Sequence, residues 1–126
     1  MIKIPINMVY DILSASDLFK GVNIHLVDVD EDYQKLTALP IVRVNEINSY
    51  QNGFASNLAN SMSITVQVDI WIRSYKDANK YYYEIDKIMN HNGWACNLSG
   101  VDRDKDFNNI LRIYKRYTTS QKLNFA

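Results

Sequence analysis

The sequence predicts an α+β fold: a single two-layer domain with a mainly antiparallel sheet of about four main strands and two helices packed on one face. Three observations carry this expectation. Residues 61–73 (SMSITVQVDIWIR) alternate without a break, with Met62, Ile64, Val66, Val68, Ile70 and Ile72 on one face and Ser61, Ser63, Thr65, Gln67, Asp69, Trp71 and Arg73 on the other. A period of two held this long on β-branched residues marks a half-buried antiparallel strand, roughly 40 Å long at ~3.3 Å per residue. Further on, Ala78, Tyr81, Tyr82, Ile85, Ile88 and Met89 recur at helical spacing. Finally, shorter alternating runs bounded by turn residues flank both segments.

The elements follow in order. Pro5 suits the first turn of a helix continuing through residues 7–16, where Val9, Ile12 and Leu13 form the apolar stripe. Lys20-Gly21 turns the chain into a strand over 22–28, in which Val22, Ile24 and Leu26 alternate with polar residues. The acidic run 28–32 reads as a solvated turn. A second strand, PIVRVNEI, spans 40–47, with Pro40 at its start, where a missing donor is tolerated. Residues 48–60 (NSYQNGFASNLAN) read as a long loop with apolar anchors at Tyr50, Phe54 and Leu58. After the long strand, Ser74 with Asp77 resembles a capping box opening a single helix over 75–91, and Asn92-Gly93 ends it. Trp94, Cys96 and Leu98 mark a short strand, 99–109 a polar acidic turn, and ILRIYKRYT (110–118) the last strand. Residues 119–126 read as a tail ordered only by a neighbour.

Composition narrows the function. The 126 residues suffice for one core, and 14 Lys+Arg balance 14 Asp+Glu, which argues against a general nucleic-acid binder. The balance is uneven along the chain. Residues 1–60 hold four basic and seven acidic residues (4 − 7 = −3), residues 61–126 ten and seven (10 − 7 = +3). Such a distribution reads either as an ordinary solvated surface or as suited to head-to-tail association of copies. The single Cys96 excludes an intrachain disulfide, and no apolar run nears the ~20 residues of a membrane span. With no signal-peptide pattern, the chain is expected to be soluble and intracellular when made. Nine tyrosines, three of them consecutive at 81–83, suit surfaces where a ring is covered and its hydroxyl stays wet.

Catalytic and metal chemistry find little footing. Asp28, Asp30 and Asp32, and again Asp102, Asp104 and Asp106, show the 1-3-5 spacing of a calcium loop. Tyr33 or Phe107 then falls where the sharp turn needs Gly, and Leu39 or Ile113 where the loop needs Glu. His25, His91 and Cys96 match no zinc spacing, no nucleophile elbow is present, and the glycines are isolated. The chain is therefore expected to be no enzyme and to carry no metal or cofactor. On the last strand Arg112, Tyr114 and Arg116 share one face, expected to be wet and basic, and Leu111, Ile113, Lys115 and Tyr117 the other, mostly buried. The first face reads as solvated or as a protein-docking surface.

Three pieces in this order carry a resemblance: VQVDIW on a long strand, an amphipathic helix of about sixteen residues, and an acidic turn leading to ILRIYKRY. Together, over nearly the whole chain, they resemble the tail terminator (tail completion, or minor tail) proteins of long-tailed bacteriophages. The resemblance implies an α+β structural virion protein, assembled as a hexameric ring at the head-proximal end of the tail tube. There it would end tube polymerisation and offer the surface that joins the head. Its implied partners are copies of itself, the tail tube protein and a head-completion or connector protein. Neither a membrane nor a specific nucleic-acid sequence is implied, although DNA would pass through the lumen. The expected locations are host cytoplasm during assembly and then the virion tail. Within this reading, Gln67, Asp69, Trp71, Arg73, Arg112, Tyr114 and Arg116 are assigned to contacts between subunits. Tyr50, Gln51, Asn52 and Phe54 are assigned to a loop facing tube or lumen, and the C-terminal tail to completing a neighbour. Trp71 is expected to matter more to ring formation than to folding. The alternatives are a head-closure or connector adaptor and a bacterial α+β binding module.

Overall fold

The computed structural model describes the backbone of residues 3–55 and 58–122, and the side chains within it outside 52–60. The class is α+β, with one mixed sheet of five strands carrying helices on one face. Helix α1 is Pro5–Ser14; β1 is Asn23–Leu26, β2 Ile41–Ala55 and β3 Leu58–Ile72. Helices α2 (Tyr75–Tyr81) and α3 (Glu84–His91) follow, then β4 (Ala95–Asp104) and β5 (Ile110–Lys122). The strand order is β1-β2-β3-β5-β4. All neighbours are antiparallel except β1 and β2, whose parallel pairing joins Asn23 to Ile41 and Leu26 to Val44. That parallel pair corrects the expected four-stranded, mainly antiparallel layout by one edge strand.

The predicted alternation sets the two faces of the sheet. Val42, Val44, Ile64, Val66, Val68, Ile70, Ile72, Leu111, Ile113 and Tyr117 point to the helices and are all buried. Opposite them pack Val9 and Leu13 of α1, Ala78 and Tyr81 of α2, and Ile85 and Met89 of α3. Phe19 stacks on Tyr81 with ring centroids 5.6 Å apart. Each such aliphatic side chain, fully withdrawn from water, contributes ~1.5–3 kcal/mol to the hydrophobic term.

The helix expected over 75–91 is broken. Tyr82 and Tyr83 form a turn between α2 and α3, yet Ala78, Tyr81, Ile85 and Met89 keep one stripe toward the sheet. The side chain of Ser74 accepts the Asp77 N–H at 3.3 Å, and Gly93 takes the left-handed φ of 86° beyond the last turn.

Two of the expected irregular segments are strand. Of the loop expected over 48–60, residues 48–55 and 58–60 are strand and 56–57 lie outside the described residues: β2 runs to Ala55 and β3 starts at Leu58, and the register joins Asn48 to Thr65, Tyr50 to Ser63 and Ala55 to Leu58. Asn and Ser lower β propensity, but the register imposed by the apolar half of β3 carries the pairing onward. A bulge between Glu46 and Asn48 takes up one extra residue, Ile47. The polar turn expected over 99–109 shrinks to 105–109, with 99–104 in β4 and Asn108 and Asn109 supplying positive φ. Of the expected tail, 119–122 belong to β5 and pair as far as Lys122 with Ser61; 123–126 lie outside the described residues.

The sheet consequently narrows toward one end. Beyond the level of Thr65 and Thr118, β4 has ended and β2, β3 and β5 continue; beyond Ser61 and Lys122, the described residues are those of β2 and β3. On this arm residues 46–51 are exposed, including Ile47 and Tyr50.

Candidate functional site

The sheet face turned away from the helices carries the residues singled out from the sequence, and the register sets them in rows. One row runs Ile41, Trp71, Arg112, Asp102; the next Arg43, Asp69, Tyr114, Gly100; the third Asn45, Gln67, Arg116, Leu98. Neighbouring side chains on one face of an antiparallel pair stand about 5 Å apart, so the first two rows place opposite charges and a ring within reach, and the third places Gln67 beside Arg116.

Asp69 is the hub and is fully buried. Its Oδ2 accepts from Arg43 Nη2 at 2.8 Å, its Oδ1 accepts from Gln67 Nε2 at 3.0 Å, and Arg112 Nη1 lies 3.7 Å away. Gln67 Oε1 in turn accepts from Arg116 Nε at 2.9 Å. Arg112 donates to both oxygens of Asp102, at 3.0 and 2.7 Å, in the bidentate geometry that is the strongest form of this pair. These hydrogen bonds to Asp102, with Asp69 and Asp104 nearby, hold the guanidinium above its ordinary pKa despite burial. Trp71 is also buried; its Nε1 donates to Asp104 Oδ2 at 2.9 Å, and Arg43 lies over its ring at 5.0 Å. The Tyr114 ring, with Arg112 5.5 Å from its centroid, extends across Gly100. Arg73 is exposed and donates to the Leu36 carbonyl at 2.7 Å.

This face is therefore an ordered polar layer, and the expectation of a wet basic face on β5 is corrected. Arg112 and Arg116 are half-buried and bonded to acceptors. Asp69 and Trp71 are covered within the chain itself, which makes them supports for this layer in the folded subunit. Asp102 and Asp104 belong to β4 and hold Arg112 and Trp71, rather than lying in a solvated turn. Sequence reading missed Arg43 and these two carboxylates as partners. The signal was their alternation with apolar residues in PIVRV and their place before a strand rich in Arg.

Above Trp71 lies a cavity of about 200 Å³, bordered by Asp28, Val29 and Gln34 on one side and by Asp104, Asp106 and Phe107 on the other. The two acidic segments read as turns thus meet across one end of the sheet. Among the described residues no group of three or more His, Cys, Asp or Glu is placed to hold a metal ion. His25 lies under Tyr33, ring centroids 5.1 Å apart, with its Nε2 buried and unpartnered; burial lowers its pKa, against a smaller raising by Asp30.

The helix-facing side holds one further charged set. Lys115 is fully buried, its Nζ 3.0 Å from Asp86 Oδ2 and 3.6 Å from the centroid of Tyr82. Tyr117 donates its hydroxyl to Asp86 Oδ1 at 2.6 Å, and burial, then this carboxylate, pushes the phenol far above its usual range.

Of the residues assigned to the tube or lumen, Tyr50 and Gln51 stand exposed on the arm, whereas the side chains of Asn52 and Phe54 lie outside the described residues. Among the described residues no helix is long and apolar enough to cross a membrane. No family model matches the chain, and no curated protein matches it.

Proposed function

We propose that this chain is a structural virion protein, forming a ring at the head-proximal end of a long-tailed phage tail tube. In this reading it ends tube polymerisation, offers the head-joining surface, and carries no catalytic site. The observation that carries the reading is the narrow end of the sheet, where β2, β3 and β5 continue past β1 and β4 and expose Ile47 and Tyr50. Its inner face packs Ile64 and Met62 on the core, while residues 46–51 along its outer strand stand exposed and suit a partner on another chain. The ordered layer around Asp69 supplies the second requirement, a rigid surface. Arg112, Tyr114 and Arg116 lie in it, Arg112 held by Asp102 and Asp69, Arg116 by Gln67 and the Tyr114 ring beside Arg112, while Arg73 is held by the Leu36 carbonyl. A closed ring needs two different patches of one subunit to meet, and the arm and this face are such a pair. The tail tube protein and a head-completion protein are the further partners, with assembly in the host cytoplasm and a final place in the virion tail.

The test is the mass of the purified protein by light scattering, with and without polymerised tail-tube protein. A particle of about six copies together with capped or shortened tubes supports the reading. A strict monomer that ignores tubes rejects it and favours the head-closure adaptor or an unrelated binding module.

A further inference from the structure

The outer edge of β2 is paired with β1 only from Ile41 to Val44, so beyond its bulge, over residues 48–55, no described strand lies on that side. The outer edge of β4 is likewise open, and beyond its own bulge between Cys96 and Leu98 it runs regularly over 98–104. The two open stretches are nearly equal in length. Folded proteins usually guard such edges with charge or proline; the β2 stretch has neither, and the charges of the β4 stretch are held by partners within the chain. Residues 48–55 (NSYQNGFA) hold no charge and no proline. On β4 the three charged side chains are engaged within the chain: Asp102 with Arg112, Asp104 with Trp71, and Arg103 with the Asn109 carbonyl at 3.0 Å.

We infer that β4 of one copy pairs edge to edge with β2 of the next, joining 98–104 to 48–55 and making one sheet continuous across subunits. This rests on the ring reading above and names its contact. Strand direction supports it. β4 is antiparallel to β5, β5 to β3 and β3 to β2, so copies of one polarity side by side bring β4 against β2 antiparallel. Leu98 shares its row with Arg116 and Gln67, and Tyr50 pairs with Ser63; both therefore lie on the face away from the helices, at 45% and 61% exposure. In the antiparallel pairing Leu98 falls opposite the far end of the 48–55 stretch and Tyr50 opposite the level of Asp102. Because β1 occupies Ile41–Val44, the incoming β4 is displaced toward the arm by about eight residues, roughly 25 Å at the strand rise. Strands inclined to the ring axis take up such a shift with no net rise, as in a closed barrel.

Amide hydrogen exchange on the full chain tests this, comparing single copies with the assembly found by light scattering, and adding polymerised tail-tube protein if the pure chain stays single. Protection rising at least tenfold over both 48–55 and 98–104 supports the pairing. Closed rings in which these segments exchange as fast as in single copies overturn it and leave the ring standing. Open filaments protected at both segments uphold the pairing and reject the ring. A chain that stays single even with tubes rejects both. A Leu98→Lys variant, with exchange over 62–72 unchanged to show an intact fold, is expected to weaken self-association at least tenfold; undiminished assembly overturns the pairing.

Discussion

Lys115 lies fully buried with its ammonium 3.0 Å from the Asp86 carboxylate, joining the central part of β5 to α3 directly beneath the break between α2 and α3. The pair is asymmetric. The Lys115 side chain is 1% exposed and that of Asp86 23%.

That asymmetry orders two substitutions. Asp86→Ala leaves a buried ammonium and the Tyr117 hydroxyl without their acceptor and is expected to cost about 3–5 kcal/mol. Lys115→Met leaves Asp86 with Tyr117 and partial access to water, at about 1–2 kcal/mol. Urea unfolding of both variants checks this; a Lys115→Met loss as large as that of Asp86→Ala contradicts it.

On the opposite face, Trp71→Ala is expected to cost about 3–5 kcal/mol in folding, because it empties a buried site beneath Arg43. Trp71→Phe keeps most of the volume and removes the Asp104 hydrogen bond, at about 1 kcal/mol. Thermal unfolding of the single chain reads both. A Trp71→Ala subunit of unchanged stability would return this residue to a role in contacts alone.

Gly100 is fixed by a neighbour rather than by its own backbone. A Cβ there would fall 2.2 Å from Tyr114 Oη, so alanine forces the ring off β4 and away from Arg112. Gly100→Ala is expected to lose about 1–3 kcal/mol, and in a Tyr114→Ala background much less, since the obstacle is gone. Equal losses in both backgrounds, measured as a double-mutant cycle, would contradict the contact.

Stability should also fall on mild acidification through His25. Its folded pKa lies below the ordinary value of 6.5, so the unfolded chain binds the proton more readily. The contribution is complete above pH 6.5 and is lost as pH falls through 6.5 toward the folded value. His25→Gln should flatten the unfolding profile between pH 7.5 and 5.5; an unchanged slope would assign it to other groups.

Much of this architecture is legible in the residues. The alternation of 61–73 and of 110–118 identifies β3 and β5 and their buried faces, including the burial of Lys115 with Leu111, Ile113 and Tyr117. Val9, Leu13, Ile85 and Met89 mark the helix faces that cover them. Less legible is the length of β2, because Asn, Ser and Gly over 48–55 favour turns locally and are held extended by the register of β3. The candidate site divides in the same way. Periodicity sets Gln67, Asp69 and Trp71 on one face of β3 and Arg112, Tyr114 and Arg116 on one face of β5, whereas strand order joins the two sets to each other and to Arg43, Asp102 and Asp104.

By itself, then, the sequence determines which residues turn inward, since a period of two or of 3.6 is a local property of the chain. Tertiary structure alone decides that Trp71 and Asp69 are covered and that β1 lies parallel at the edge. Among the described residues it also leaves the outer edge of β2 beyond its bulge, and that of β4, without a neighbouring strand. Those outcomes depend on which distant strands become neighbours, and the energy that selects them comes from packing across the whole sheet, which no short window of residues contains.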